Sequence, residues 1–200
     1  MENCDWLVNA AGERQPFRYP VADPPDIPYR LYRFLSEVED IIIAERDDRR
    51  RLEAICPRVR RLLDSSPWLQ AYHLQPPRDR GWSVLKLYEE PDFKLTVQMV
   101  AWLPGRTSPI HNHGAWGIVA LIDGEEKNRL WRRSDPKGDR IELVEECVLE
   151  PGEIIGFEPD AIHNVEALGD EPTVSFNLYG ITDYKARFEF DPEKQTAKRF

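Results

Sequence analysis

Three of the chain's four histidines are spaced as metal ligands are: His111 and His113 flank a single residue, and His163 follows fifty residues later. Side chains at i and i+2 of a β-strand point to the same face. Two imidazoles on one face, joined by a third from a distant strand, can hold a transition metal through neutral nitrogens. An isolated His-x-His is also compatible with two exposed histidines after a turn. The surroundings favour ligands. Pro104-Gly105 ends six residues before His111, Pro151-Gly152 ends eleven before His163, and both segments lie in strand-like sequence.

A second polar set follows. Ser175, Asn177 and Tyr179 alternate with Val174, Phe176 and Leu178. Period two puts the polar three on one face and the apolar three on the other. Inside a small barrel that polar face must line a polar cavity, or its groups would be buried unpaired. On an open sheet it would face solvent instead. Trp102 reads as a packing residue. Trp116, three residues from His113, suits either packing or a binding wall. Cys147 reads as a strand residue with no second histidine cluster to activate it. His73 falls in a connector.

These side chains need strands to hold them, and from Trp82 onward the chain reads as strands. Short apolar or alternating runs at 82–88, 93–103, 115–122, 127–133, 140–149, 154–157, 162–167, 173–180 and 187–190 are separated by turn signals such as Pro104-Gly105, Asp123-Gly124 and Pro151-Gly152. Eight or nine short strands so punctuated predict a β-sandwich or barrel over 82–200. Residues 28–81 read differently. Leu31, Phe34, Leu35, Val38, Ile41 and Ile42, then Leu52, Ile55, Val59, Leu62 and Leu63, recur at helical spacing. They predict two amphipathic helices packed on a flat apolar surface. Residues 1–27, with Pro16, Pro20, Pro24 and Pro25, read as an extended arm lying on the domain or partly disordered, within one structural domain overall.

Composition narrows the function classes. At 41% hydrophobic residues the chain can bury a proper core. A net charge of −9 argues against nucleic acid as the main partner, since phosphate binding needs a basic surface. The arginines between Arg46 and Arg61 are interleaved with acidic residues and read as a solvated helix surface. No run reaches membrane-spanning length, so no membrane association is expected. Residues 1–5 carry no leader-like pattern, and the three cysteines form no paired framework. A cytoplasmic setting is the expectation.

On these residues the chain resembles the cupin superfamily. The stretch from Gly105 through His111-Asn112-His113 to Gly124 fits its first motif, and His163 stands where the second motif supplies its ligand. The carboxylate of the general cupin motif is missing between Ala115 and Ala120. That omission is similar to the thiol dioxygenases, and 108–117, 161–166 and 174–180 resemble the bacterial cysteine and 3-mercaptopropionate enzymes. The likeness spans roughly 90–182 and implies an all-β double-stranded β-helix, a jelly-roll barrel, with the two helices outside. It implies iron(II), Fe(2+), on His111, His113 and His163. It further implies oxidation of a small thiol by O₂ to a sulfinic acid. Tyr179 would contact the substrate or bound oxygen, Asn177 and Ser175 would orient Tyr179, and Arg187 would pair with a carboxylate beside Trp116.

The chain also departs from that family. Asn177 stands where relatives carry a histidine between serine and tyrosine, so nothing at that position titrates near neutrality. Gly117 and Ile118 occupy the place of the cysteine that animal enzymes cross-link to tyrosine. Lys86 is the only basic residue in the early strand that carries their substrate arginine. An oxygenase on the same three histidines acting on a non-thiol, or a non-catalytic metal- or ligand-binding cupin, therefore stays open.

Overall fold

A computed structural model describes residues 5–20, 29–71, 74–93, 95–135 and 138–199. Its strands are β1 (Asp5–Val8), β2 (Arg14–Phe17), β3 (Trp82–Tyr88), β4 (Thr96–Trp102), β5 (Ile110–His111), β6 (Gly117–Asp123), β7 (Glu125–Arg133), β8 (Ile141–Leu149), β9 (Ile154–Phe157), β10 (Ile162–Leu168), β11 (Thr173–Tyr179), β12 (Phe188–Asp191) and β13 (Thr196–Arg199). Its helices are α1 (Leu31–Ala44), α2 (Asp48–Asp64) and the single turn α3 (Pro67–Gln70). No helix among the described residues is long and apolar enough to cross a membrane.

The strands form two sheets, ordered β2-β1-β9-β6-β11-β4-β3 and β13-β12-β5-β10-β7-β8. Within them β4, β11, β6 and β9 face β5, β10, β7 and β8, so the chain passes repeatedly from one sheet to the other. This is the jelly-roll order of a cupin-type double-stranded β-helix. The fold is all-β with helices outside the barrel.

Parity along the strands decides what faces what. In β4, Val97, Met99 and Ala101 point outward, and in β11 so do Val174, Phe176 and Leu178. They share one buried cluster with Phe34 and Val38 of α1 and Leu52, Ile55 and Val59 of α2. The alternate residues Thr96, Gln98, Ser175, Asn177 and Tyr179 point into the barrel, where they line a cavity. Part of the interior is closed by a smaller apolar cluster that includes Val119, Leu121, Leu130, Ile155 and Phe157. Asp47 caps α2, its carboxylate accepting from the Arg50 amide at 2.9 Å.

The N-terminal residues differ from the arm expected of them. Residues 5–17 form the β1–β2 hairpin, and β1 adds to the larger sheet as a parallel neighbour of β9. Pro16 sits in the edge strand β2, where its missing N–H costs no ladder bond. The hairpin is tied down from behind. Buried Asp5 accepts from the Arg60 guanidinium of α2 and from the Tyr19 hydroxyl. Pro24, Pro25 and His73 lie outside the described residues.

Candidate metal centre

β5 is only two residues long, held between β10 and β12. His111 lies in it, directly opposite His163 of β10. His113 lies beyond the end of β5, in the loop leading to β6. The shared face expected of a strand pair is thus not what brings His113 in; the loop turns it toward its partners. Asn112 holds that loop. Its side-chain oxygen Oδ1 accepts from the Phe188 backbone amide at 2.7 Å, and its Nδ2 donates to the Ala186 carbonyl at 2.8 Å.

The three rings converge. Ring centroids stand 4.8 Å apart for His111–His113, 4.9 Å for His111–His163 and 5.1 Å for His113–His163. The donor nitrogens all lie within 4.8 Å of one another. The Nε2 atoms of His113 and His163 are 2.9 Å apart. Two nitrogens each 2.0–2.1 Å from one ion and at a right angle would stand roughly 2.9 Å apart.

Protonation favours binding. Burial pushes the pKa of all three histidines below the ordinary value, most strongly at His113 and His163. The neighbouring imidazoles add to this at His113 and His163, and the Arg187 charge adds to it at His111 and His113. At neutral pH the rings are neutral and their lone pairs are available. Two rings are also oriented from behind. His111 Nδ1 donates to the Pro109 carbonyl at 2.9 Å, and His163 Nδ1 donates to Asn128 Oδ1 at 3.2 Å. Each bond places the proton on Nδ1 and leaves Nε2 as the ligand atom, the usual outer support of a metal-bound histidine. The donor set and its geometry fit a divalent transition ion.

Asn128 is itself held. Its amide nitrogen donates to Glu126 Oε1 at 3.2 Å, which turns its oxygen toward His163. Glu126 is buried on the barrel interior, and burial pushes its carboxyl up to about 7. Sequence reasoning missed Glu126, Asn128 and Asn112. The general motif's carboxylate would fall between Ala115 and Ala120, whereas this one comes in on the next strand, β7. The signal was the alternation of Glu126, Asn128 and Leu130 in β7, which marks one face as inward.

The polar face of β11 lies beside the histidines. Tyr179 packs on His113, with centroids 4.5 Å apart and planes at 30°. Its hydroxyl donates to Asn177 Oδ1 at 2.9 Å, and Asn177 Nδ2 donates to Ser175 Oγ at 2.8 Å and to the Ser175 carbonyl at 3.2 Å. A carbonyl can only accept, so the Asn177 amide is fixed with its oxygen toward Tyr179. The phenol proton is therefore committed to Asn177, and the oxygen's lone pairs remain for the cavity. Burial pushes the phenol pKa well up, so the ring stays neutral. Gly117, paired with Tyr179 across β6 and β11, makes room for this ring. A Cβ there would stand 2.6 Å from Tyr179 Cδ1.

Histidines, Glu126, Tyr179, Asn177, Ser175 and Arg187 all border one cavity of about 540 Å³. Trp116 does not. It precedes β6 on the parity of Ile118 and Ala120, and its buried ring joins the cluster under the helices, against Gly180. That placement corrects the expectation of Trp116 as a binding wall. Trp102, expected to pack, lies on the cavity wall. Lys86 is on the same face of β3 as Val84 and is paired with Gln98, but it is exposed and outside the cavity lining, its ammonium on Glu89 at 2.8 Å.

No protein-family model matches the chain. Solved structures similar to it include oxalate oxidase in complex with glycolate, with a TM-score of 0.45, 20% identity and coverage of 55% of this chain and 56% of that one. A cupin superfamily protein from Desulfitobacterium hafniense has a TM-score of 0.44 at 9% identity, covering 57% of this chain and 88% of that one. KdgF from Halomonas sp. has a TM-score of 0.41 at 19% identity, covering 56% and 91%. The likeness thus spans about half of the oxalate oxidase chain, and at these identities it has no bearing on chemistry.

Proposed function

We propose that this chain is a metal-dependent oxygenase that uses iron(II) to oxidise a thiol with O₂ to the sulfinic acid, R–SH + O₂ → R–SO₂H. The observation that carries the reading is the convergence of three neutral imidazoles, two of them oriented from behind, at a cavity wall that also presents Tyr179. Iron(II) held by His111, His113 and His163 would supply an open face that acidifies a thiol and exchanges electrons with O₂.

The protein's own groups set the rest. Glu126 and Asn128 keep His163 in one tautomer. Tyr179, its proton given to Asn177, offers a hydrogen-bond acceptor to whatever lies beside His113. A substrate group there must bring its own proton, as a thiol or an ammonium does. Asn177 holds the phenol without exchanging a proton. Arg187, on the same wall, supplies a fixed positive charge for a carboxylate. Small-molecule substrate and O₂ are the partners this implies, in the cytoplasm, with no nucleic acid or membrane.

A second reading is an oxygenase on the same three histidines acting on a non-thiol. The engagement of Lys86 by Glu89 favours it, because among the described residues no cation of the early strand lines the cavity. The test is metal content of the purified protein, followed by O₂ uptake and product analysis over a panel of thiols. Near one iron per chain and sulfinate matching the O₂ consumed is the expected result. Metal uptake without sulfinate from any thiol would leave the second reading, and no metal uptake would overturn both.

A further inference from the structure

The cavity is larger than a two- or three-carbon thiol needs. Pockets of about 300–1,000 Å³ take drug-sized ligands, and this one measures about 540 Å³. Water takes about 30 Å³ per molecule in the liquid. A thiol the size of cysteine, with seven non-hydrogen atoms, would leave most of the space to solvent.

The lining changes character along the strands. Tyr179 pairs with Thr96, Asn177 with Gln98 and Ser175 with Val100, so the polar level lies beside the histidines. Further along, Val84 pairs with Val100 and Trp82 with Trp102. All four line the same cavity. Trp102 stands six residues beyond Thr96 on β4, roughly 20 Å of strand. The two indoles meet at 6.2 Å between centroids. Ser108 and Val165 also line the cavity. The charged side chains of the lining, Glu126 and Arg187, belong with the histidines. Among the described residues the far level has no charged side chain in its lining, although the Arg80 guanidinium stands over the Trp82 ring at 5.4 Å from its centroid, and much of it is open to water: Trp82 is 38% exposed and Val84 41%. Exposed indole and valine side by side on one wall of the cavity are incompletely used apolar surface.

We infer that the substrate carries an uncharged apolar arm, of at least one aromatic ring, which lies against the wall formed by Val84, Val100, Trp82 and Trp102 while its reactive head is at the histidines. This rests on the oxygenase reading for the head and on the cavity lining alone for the arm. A substrate limited to a charged two- or three-carbon thiol would leave the indoles wet and the affinity unassisted by their burial.

The test separates the arm from the head. Protein loaded with iron(II) under anaerobic conditions is titrated with acetohydroxamate and phenylacetohydroxamate, which share a metal-chelating head and differ by a ring. In parallel, kcat/KM is measured for ethanethiol and 2-phenylethanethiol. Burying the ring should tighten binding about 10–100-fold, with a matching preference in kcat/KM. Trp82→Ala, at the exposed rim, and Trp102→Ala should each reduce that ratio, so the idea does not depend on one variant folding. A ring preference among hydroxamates with neither thiol oxidised would uphold the arm and overturn the thiol reading. Thiols oxidised with equal kcat/KM and hydroxamates bound equally would overturn the arm and uphold the thiol reading. A ratio unchanged in both tryptophan variants would also overturn the arm, and failure to take up iron would overturn both.

Discussion

The protein buries two polar clusters, one on each side of the larger sheet, and they are built on opposite rules. Behind the sheet, Asp5 accepts from Arg60 and Tyr19, and Arg60 also reaches the Gly152 carbonyl. Opposite charges meet and the carboxylate is bonded from two sides. In the barrel, His111, His113 and His163 are like groups whose nitrogens face one another, and each would repel the others if protonated. The first cluster completes itself and fastens β1 to α2. The second is stable only while neutral and leaves lone pairs directed at a common point. A buried polar cluster that satisfies itself holds a fold together; one that does not is built to receive something.

Breaking each cluster should therefore give separable losses. The largest effect is expected from His163→Ala, which should abolish retained metal after dialysis while shifting Tm by only a few degrees. Full metal occupancy in that variant would end the three-histidine assignment. Arg60→Ala should do the reverse, costing about 3–5 kcal/mol in denaturant unfolding because Asp5 is left buried and uncompensated, with metal stoichiometry unchanged. Loss of metal in Arg60→Ala at temperatures where it stays folded would show that the clusters are coupled.

Two smaller effects sharpen the contrast inside the barrel. Glu126 has a folded-state pKa raised to about 7 against an ordinary 4.5. A raised carboxylate pKa stabilises the fold fully below the unfolded value and loses that contribution as pH rises through the folded one. Metal-free Glu126→Gln should therefore match the parent below about pH 4.5 and exceed it by up to about 3 kcal/mol at pH 8. Equal stability at both pH values would mean that Glu126 meets a compensating charge. Gly117→Ala should cost about 1–3 kcal/mol by crowding Tyr179, lowering turnover while metal remains bound. An unshifted Tyr179 ring and unchanged turnover in that variant would show that the ring has room to spare.

Much of this molecule was legible from its residues. The helices were read from Leu52, Ile55 and Val59 because a 3.6-residue period over two or more turns is a strong signal. The barrel is legible because eight or nine short runs are separated by turn signals, and strict alternation over Thr173–Tyr179 fixes the facing of β11. β13, β1 and β2 are less legible because Thr196–Arg199 and Arg14–Phe17 are mostly polar and Asp5–Val8 finds its parallel partner β9 only 149 positions later. The histidines stand out by type, while Asn112 and Asn128 do not, because their partners lie 35 to 76 positions away, and Glu126 acts only through Asn128. Trp116 was misplaced for a related reason. Nearness in sequence to His113 says little when adjacent strand positions point to opposite sides of a sheet.

The parallel seating of β1 on β9 has a consequence for how the chain is made. Trp6 pairs with Ile155, 149 positions further along. At about 5–20 residues per second of synthesis, β1 waits roughly 7–30 s before its partner strand exists. For that interval Trp6, Leu7 and Val8 form a short apolar segment with one open hydrogen-bonding edge beyond its β2 hairpin partner. Docking it must come after the barrel has formed, and contacts of such long range close slowly. Asp5 and Arg60 are both made early, but the barrel face on which α2 packs is not, so their bond closes only once that face exists.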